Sequence, residues 1–258
     1  MADAAAFDLS DVLGKYISKP SEASNPEFMV LYGRPGCGKT YLAATASELP
    51  GVRKTLILDT EGSTVGTLSD FDDEKIDIIR VTGFEMLDAI LKKLFDPGAQ
   101  HEYDVVILDT LDVAQGWAVE HFKKIAPVTR SGEQDGFWVW GKVSDWTVKE
   151  VGQDLRKAPF LAIAVIHERE EKAADGSLLK ALKLQGSAKD VWPGIPDVVA
   201  YLERKVFDGV VQTVAYFETE DNKVTKNRFR FPPKVLGATI PKLFKFIEDR
   251  KTEKKEAK

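Results

Sequence analysis

The chain has 258 residues, 43% of them hydrophobic and 30% charged, which is enough apolar material for a sizeable core in one α/β unit. Its formal net charge of −5 shows no global basic excess for nucleic acid, so any such contact must come from a local basic loop or an assembly of protomers. One cysteine, Cys37, excludes an intrachain disulfide framework and points to a reducing compartment.

The first segment, MADAAAFDLSD, lacks the basic and apolar regions of a signal peptide. No apolar run approaches the ~20 residues that cross a bilayer. A cytoplasmic protein with no membrane contact is expected. Residues 1–26 are rich in Ala, Ser and Asp and read as an arm, with one helical turn around Phe7–Leu13, and a linker. A β/α rhythm follows over residues 27–249. EFMVLYG is a buried strand, Lys39–Leu49 a helix, KTLILDTEG a second strand and IDIIRV a third. In GFEMLDAILKKLF, the residues Phe84, Leu87, Ile90, Leu91 and Leu94 fall at helical spacing. YDVVILDT is a fourth strand, and LDVAQGWAVEHFKKI continues from it as a helix. PVTRSGEQDGF reads as a polar loop, Trp140–Lys157 as a helix, and PFLAIAVIHE as a fifth strand. Near-continuous apolar strands imply a mainly parallel sheet covered by helices on both faces. From residue 198 the pattern changes to period-2 runs broken by Asp-Gly and Asp-Asn, an antiparallel extension. IPKLFKFIEDR suggests a last helix, and residues 250–258 a charged, disordered tail.

The stretch Gly33-Arg34-Pro35-Gly36-Cys37-Gly38-Lys39-Thr40 fits G-x-x-x-x-G-K-[ST], with a strand before it and a helix from Lys39 and Tyr41 onward. Its glycines let backbone N–H groups converge on an anion at a helix start. Lys39 reaches the terminal phosphates, and the Thr40 hydroxyl is a ligand for Mg²⁺. Cys37 occupies a variable position and reads as a small tolerated side chain rather than a redox centre. Asp109, ending VVILD, is the acidic partner on the metal side. Asp104 sits at the wrong end of that strand, and Asp112 can simply cap the next helix. Hydrolysis needs a carboxylate to orient water, and Glu61 in LILDTEGST is the choice, with Asp59 as the alternative. His101 and His121 receive no role, and no His/Cys cluster suggests zinc.

These residues carry a family resemblance over about residues 28–232. LILDTEGST resembles the segment after the second core strand of archaeal and eukaryotic RecA-like recombinases, where the glutamate is catalytic. AIAVIHE is similar to the strand that ends in their γ-phosphate sensor, placing His167 there. TKNRFRF resembles their K-N-R-F-G box, with Arg230 in place of the final glycine. With no sizeable N-terminal DNA-binding domain, the chain looks most like compact phage-encoded RecA-like annealing ATPases, the Sak-four group.

The resemblance implies a RecA-like P-loop core hydrolysing ATP with Mg²⁺ and promoting recombination by annealing or strand exchange. It also implies single-stranded DNA as partner, single-strand-binding protein as a further one, and the host cytoplasm as location. Lys226 and Arg228, alternating along a strand, would enter a neighbour's site in a homo-oligomer, either a filament or a ring. Read alone, they fit a solvated strand edge equally. DNA contact would come from residues 127–142, with Arg130, Trp138, Trp140 and Lys142. A second contact would be residues 168–190, with Arg169, Lys172, Lys180, Lys183 and Lys189. A ring-type helicase motor and an ATP-dependent protein switch with no DNA partner remain the alternatives.

Overall fold

The computed structural model describes residues 26–96, 98, 100–172, 176–218 and 222–256. The expected arm at residues 1–26 lies outside them but for Pro26. Strand β1 (Phe28–Gly33) leads through the glycine loop into α1 (Lys39–Ala44) and a 3₁₀ turn, Thr45–Glu48. Then come β2 (Thr55–Asp59), α2 (Thr64–Thr67), β3 (Ile76–Arg80), α3 (Phe84–Leu94), β4 (Val105–Asp109) and α4 (Leu111–Ile125). Helix α5 (Gly136–Asp145) runs into a π-helical stretch, Trp146–Gln153, and α6 (Asp154–Lys157). The chain continues through β5 (Leu161–Lys172), β6 (Leu178–Leu182), α7 (Ala188–Val191), β7 (Val198–Phe207), β8 (Val210–Tyr216), β9 (Lys226–Asn227), β10 (Lys234–Leu236) and α8 (Ile240–Glu256).

The sheet has the order β10-β8-β7-β1-β5-β4-β2-β3, with β7-β1-β5-β4-β2-β3 parallel. Strands β8, β9 and β10 add antiparallel, and β6 folds back on the end of β5. This is an α/β fold, a mainly parallel sheet covered by helices, with a glycine loop after its first strand and an antiparallel C-terminal extension.

Strand periodicity explains why the core strands are unbroken apolar runs. Successive side chains point to opposite faces, and both faces are covered. Phe28, Val30 and Tyr32 enter one layer with Phe84, Leu87, Leu111, Ala114 and Trp146 from α3, α4 and the π-helical stretch. Met29 and Leu31 enter the other, with Leu42 of α1 and Ile240, Leu243 and Phe244 of α8. In α3 the expected stripe is buried at Phe84, Leu87, Leu91 and Leu94, with Ile90 partly covered. The Asp208-Gly209 pair makes the β7–β8 hairpin turn, both residues at positive φ (49° and 78°).

Several expectations are corrected. The polar loop ends earlier, because Asp135 caps α5 by accepting from the Trp138 N–H at 3.0 Å. The segment expected as one helix to Lys157 widens to π-helical geometry. There the Trp192 indole donates to the Thr147 carbonyl at 2.9 Å, and Gly152 lies so close that a Cβ would meet Ile195 at 2.8 Å. Within residues 168–190, expected as a DNA-contact segment, residues 168–172 of β5 pair antiparallel with β6, whose Ala181 and Leu182 are buried. Residues 250–256, expected as disordered tail, continue α8, in a Lys- and Glu-rich run that favours helix.

Candidate active site

The carboxyl ends of four parallel strands bring the expected groups together by register alone. Gly33 of β1 is opposite His167 of β5, Asp109 of β4 is opposite Val165 of β5, and Asp59 of β2 is opposite Asp109. Because β5 lies between β1 and β4, His167 sits between the glycine loop and Asp109.

The loop is built by close backbone approach. A Cβ on Gly33 would lie 2.3 Å from the Leu202 carbonyl, and one on Gly38, at φ 95°, would lie 2.7 Å from Thr213 Oγ1. Thr213 Oγ1 in turn donates to the Cys37 carbonyl at 3.1 Å. Lys39, 6% exposed, lies across the loop and donates to the carbonyls of Gly33 (3.1 Å) and Arg34 (3.0 Å). Arg34, Pro35 and Gly36 form the exposed rim. Arg34 bonds Glu168 at 2.8 Å and Glu170 at 3.0 Å, so the extended end of β5 is tied to the loop. Burial pushes the Cys37 thiol up, outweighing the nearby Lys39, which keeps it a neutral packing group. Tyr41 is exposed and meets Phe71 edge-on at 5.1 Å.

Thr40 Oγ1 donates to Asp109 Oδ2 at 2.6 Å. Burial raises Asp109 to about 6, assisted by the negative charges of Glu61 and Asp59 and opposed by the Thr40 bond and Lys39. Asp109 and the Thr40 hydroxyl bonded to it put two oxygen donors side by side. The hydroxyl and carboxylate are hard oxygen donors of the kind Mg²⁺ takes. These residues therefore fit Mg²⁺, which would be held by Thr40 and Asp109 with phosphate and water making up the rest. Among the described residues no group of three or more His, Cys, Asp or Glu could hold a metal.

The two carboxylates of the DTEG segment separate clearly. Asp59, 2% exposed, accepts from the backbone N–H groups of Glu61 (3.0 Å), Gly62 (2.7 Å) and Thr64 (3.1 Å). Three of its acceptor sites are occupied in shaping the turn, which favours Glu61 over it as the group facing the site. Glu61 is held by that turn, with its side chain open to the site and Oε1 3.7 Å from His167 Nε2. Thr60 ties the ends of β2 and β4 together. Its Oγ1 accepts from the Thr110 N–H at 2.8 Å, and its own N–H donates to the Asp109 carbonyl at 2.7 Å.

One residue set aside on sequence belongs here. Asp112 does not cap its helix; its carboxylate accepts from the His167 backbone N–H at 3.0 Å and lies 3.1 Å from the His167 ring Nδ1. Burial works to raise Asp112, but the His167 bonds and the His167 and Lys183 charges hold it below the usual carboxylate range. An aspartate three residues past Asp109 was the available signal, but its partner lies 55 positions away in sequence.

Other expected groups are not brought to this end. Strand β9 pairs with Val198 and Val199, which lie beside Met29 and Val30 at the amino end of β1. That is roughly 13 Å of strand from the loop. The strand ends at Asn227, so Arg228 stands in the following turn and does not alternate with Lys226 along one strand as expected. Lys226 donates to the Gly194 carbonyl, and Arg228 pairs with Asp197 at 3.3 Å.

The expected DNA-contact groups divide. Arg130, Lys142, Lys172 and Lys189 are exposed, and Lys142 lies over the Trp138 ring at 5.7 Å. Trp138 packs on Phe122, while Trp140 is 40% exposed. Phe137, which the sequence reading passed over, is 95% exposed one turn before Trp140. Arg169 is engaged with the Leu184 carbonyl and Glu171. Lys180 bonds the Tyr201 hydroxyl at 3.0 Å, and Lys183 lies 3.4 Å from Asp112.

Comparison with known proteins places this geometry. A family model described as an AAA domain (AAA_24) matches residues 25–229. No curated protein sequence matches the chain. Among solved structures it is similar to the flagellar accessory protein FlaH of Methanocaldococcus jannaschii, at 12% identity over 89% of this chain and 92% of that one, TM-score 0.42. It is similar to a KaiC-like protein of Pyrococcus horikoshii OT3, at 13% identity over 74% and 77%, TM-score 0.44. It is also similar to the RadB recombinase, at 15% identity over 81% and 85%, TM-score 0.49. The family match spans well over half the sequence, and with its P-loop, Thr40–Asp109 pair and strand order the chain belongs to the AAA_24 family of AAA domains.

Proposed function

We propose that the chain is an Mg²⁺-dependent ATPase of RecA type that binds single-stranded DNA and promotes recombination by annealing or strand exchange. One observation carries the hydrolytic part: Lys39, Thr40, Asp109, Glu61 and His167 converge at the carboxyl ends of β1, β2, β4 and β5. In this reading the loop N–H groups and Lys39 hold the phosphates. Glu61 orients and deprotonates the attacking water, and His167 senses the terminal phosphate. Bound Mg²⁺ would supply charge neutralisation of the phosphates.

Lys226 and Arg228 stand at the far end of the sheet, so any part they play in hydrolysis is played in a neighbouring copy's site, which calls for a homo-oligomer. Residues 1–26 would be an arm joined to an ATPase domain at 27–249. The exposed Arg130, Trp140, Lys142, Lys172 and Lys189 would contact the strand by stacking and phosphate pairing.

ATPase rate measured with and without single-stranded DNA, over a salt series, tests this reading. Stimulation that fades as salt rises is expected, because phosphate contacts release counterions. No stimulation and no binding at low salt would sink the DNA part. A mixture of Lys39→Ala and Arg228→Ala proteins should regain activity over either alone, since intact loops and intact Arg228 side chains can then meet in trans. A specific observation supports one rival, an ATP switch acting on a protein: Arg169, Lys180 and Lys183 are engaged internally rather than free for phosphates.

A further inference from the structure

Resting on the hydrolytic reading above, we propose that Asp112 is the positioning residue of this site, pinning the His167 ring so that Nε2 alone faces Glu61. Asp112 is the second residue of α4, and its side chain is only 3% exposed. A carboxylate in that position is costly unless several groups satisfy it. Its partners come from two other elements. Oδ1 accepts from the His167 backbone N–H, Oδ2 lies 3.1 Å from His167 Nδ1, and Lys183 Nζ lies 3.4 Å from Oδ2. An ionised carboxylate only accepts, so Nδ1 must carry a proton. The variable nitrogen is then Nε2.

Nε2 and Glu61 Oε1 are 3.7 Å apart, beyond direct hydrogen bonding. Two acceptors at that separation can share one water, which donates a proton to each. Asp112 thus decides which nitrogen the reacting groups meet, without touching them. It also joins the site to the segment after β6. The Lys183 N–H donates to the His167 carbonyl at 2.9 Å while its ammonium faces Asp112. The charged groups around the ring are Glu61 from the β2 end, Asp112 from α4 and Lys183 after β6.

The chain has three histidines, so ¹⁵N–¹H spectra can follow each ring, with His167→Gln giving the assignment. Wild-type protein should show His167 protonated at Nδ1. In Asp112→Asn the amide can donate to Nδ1, and the ring should switch to the Nε2–H tautomer. The kcat for ATP should fall on the order of 10–100-fold with KM unchanged. Because Asp112 acts through the ring, the Asp112→Asn/His167→Gln double variant should be no slower than His167→Gln alone. A bare Nδ1 on His167 in the wild type, an unchanged tautomer in Asp112→Asn, or multiplicative losses in the double variant would overturn the proposal. The wild-type spectrum decides even if Asp112→Asn fails to fold. Should wild type hydrolyse no ATP, the hydrolytic reading falls while the spectra still test the positioning.

Discussion

The two ends of the sheet treat buried carboxylates in opposite ways. At the amino end, Asp197 is 4% exposed and fully partnered: it bonds Arg156 at 3.0 Å and Arg228 at 3.3 Å, and accepts from the N–H groups of Glu27 and Phe28. At the carboxyl end, Asp109 is equally buried, but its partner is one threonine hydroxyl and its neighbours are two more carboxylates. The first arrangement closes strands β1 and β7 together. The second leaves a buried carboxylate thinly partnered, at a cost to folding. Polar satisfaction is thus complete around Asp197 and incomplete around Asp109, the kind of local lapse that functional sites carry.

Substitutions should separate the two ends, most strongly at the carboxyl end. Glu61→Gln should lower ATP turnover by about 10²–10⁴-fold, the usual weight of a positioned general base, while nucleotide binding persists. Asp59→Asn should leave the chemistry's groups in place but loosen the turn that presents them, so thermal stability falls along with turnover. Steady-state kinetics with a parallel melting curve distinguishes the pair. At the amino end, Asp197→Ala leaves the backbone N–H groups of Glu27 and Phe28 without their acceptor, while Arg156 keeps Glu27 and Arg228 is half exposed, and should cost about 1–3 kcal/mol in denaturant unfolding.

Asp109→Asn should do the reverse of Asp197→Ala: abolish turnover yet stabilise the nucleotide-free protein. Folding raises the Asp109 pKa from 3.8 to about 6, so the folded chain prefers its protonated form. Stability from that preference is present below the unfolded value and is lost as pH rises through the folded one. At pH 7 and above, the ionised group costs on the order of 3 kcal/mol, from about two units at 1.36 kcal/mol each. The variant's advantage should therefore be small below pH 4 and largest above pH 7. Melting curves across that range in a chelator check it, and an advantage constant with pH would break the comparison between the two ends.

How much of this was legible follows from how far each signal reaches along the chain. The glycine loop, Asp109 at the end of VVILD and the two-sided core are local patterns. They appear in the structure where the sequence puts them. Strand β6 was hidden because SLLKALKL mixes charge with leucine, and its pairing with β5 spans a polar stretch. The π-helical turn depends on Trp192 reaching back to Thr147, 45 positions away. Asp112 looked like a helix cap because its real partner, His167, is 55 positions away in sequence. Arg228 looked like a strand residue because nothing local marks the end of β9 at Asn227.

The smallest stability effect belongs to Arg228, and it bears most directly on whether the two ends ever cooperate. The side chain is 52% exposed, and Asp197 keeps Arg156 when it is removed. Arg228→Ala should therefore cost about 1 kcal/mol or less in unfolding. On the proposed trans reading its effect on turnover is out of proportion to that. Wild-type specific activity should rise with protein concentration as copies assemble, and the Arg228→Ala protein should stay flat at the low-concentration level. If both curves are flat and equal, the amino end serves folding alone, and each chain's site works with the groups that its own β1, β2, β4 and β5 supply.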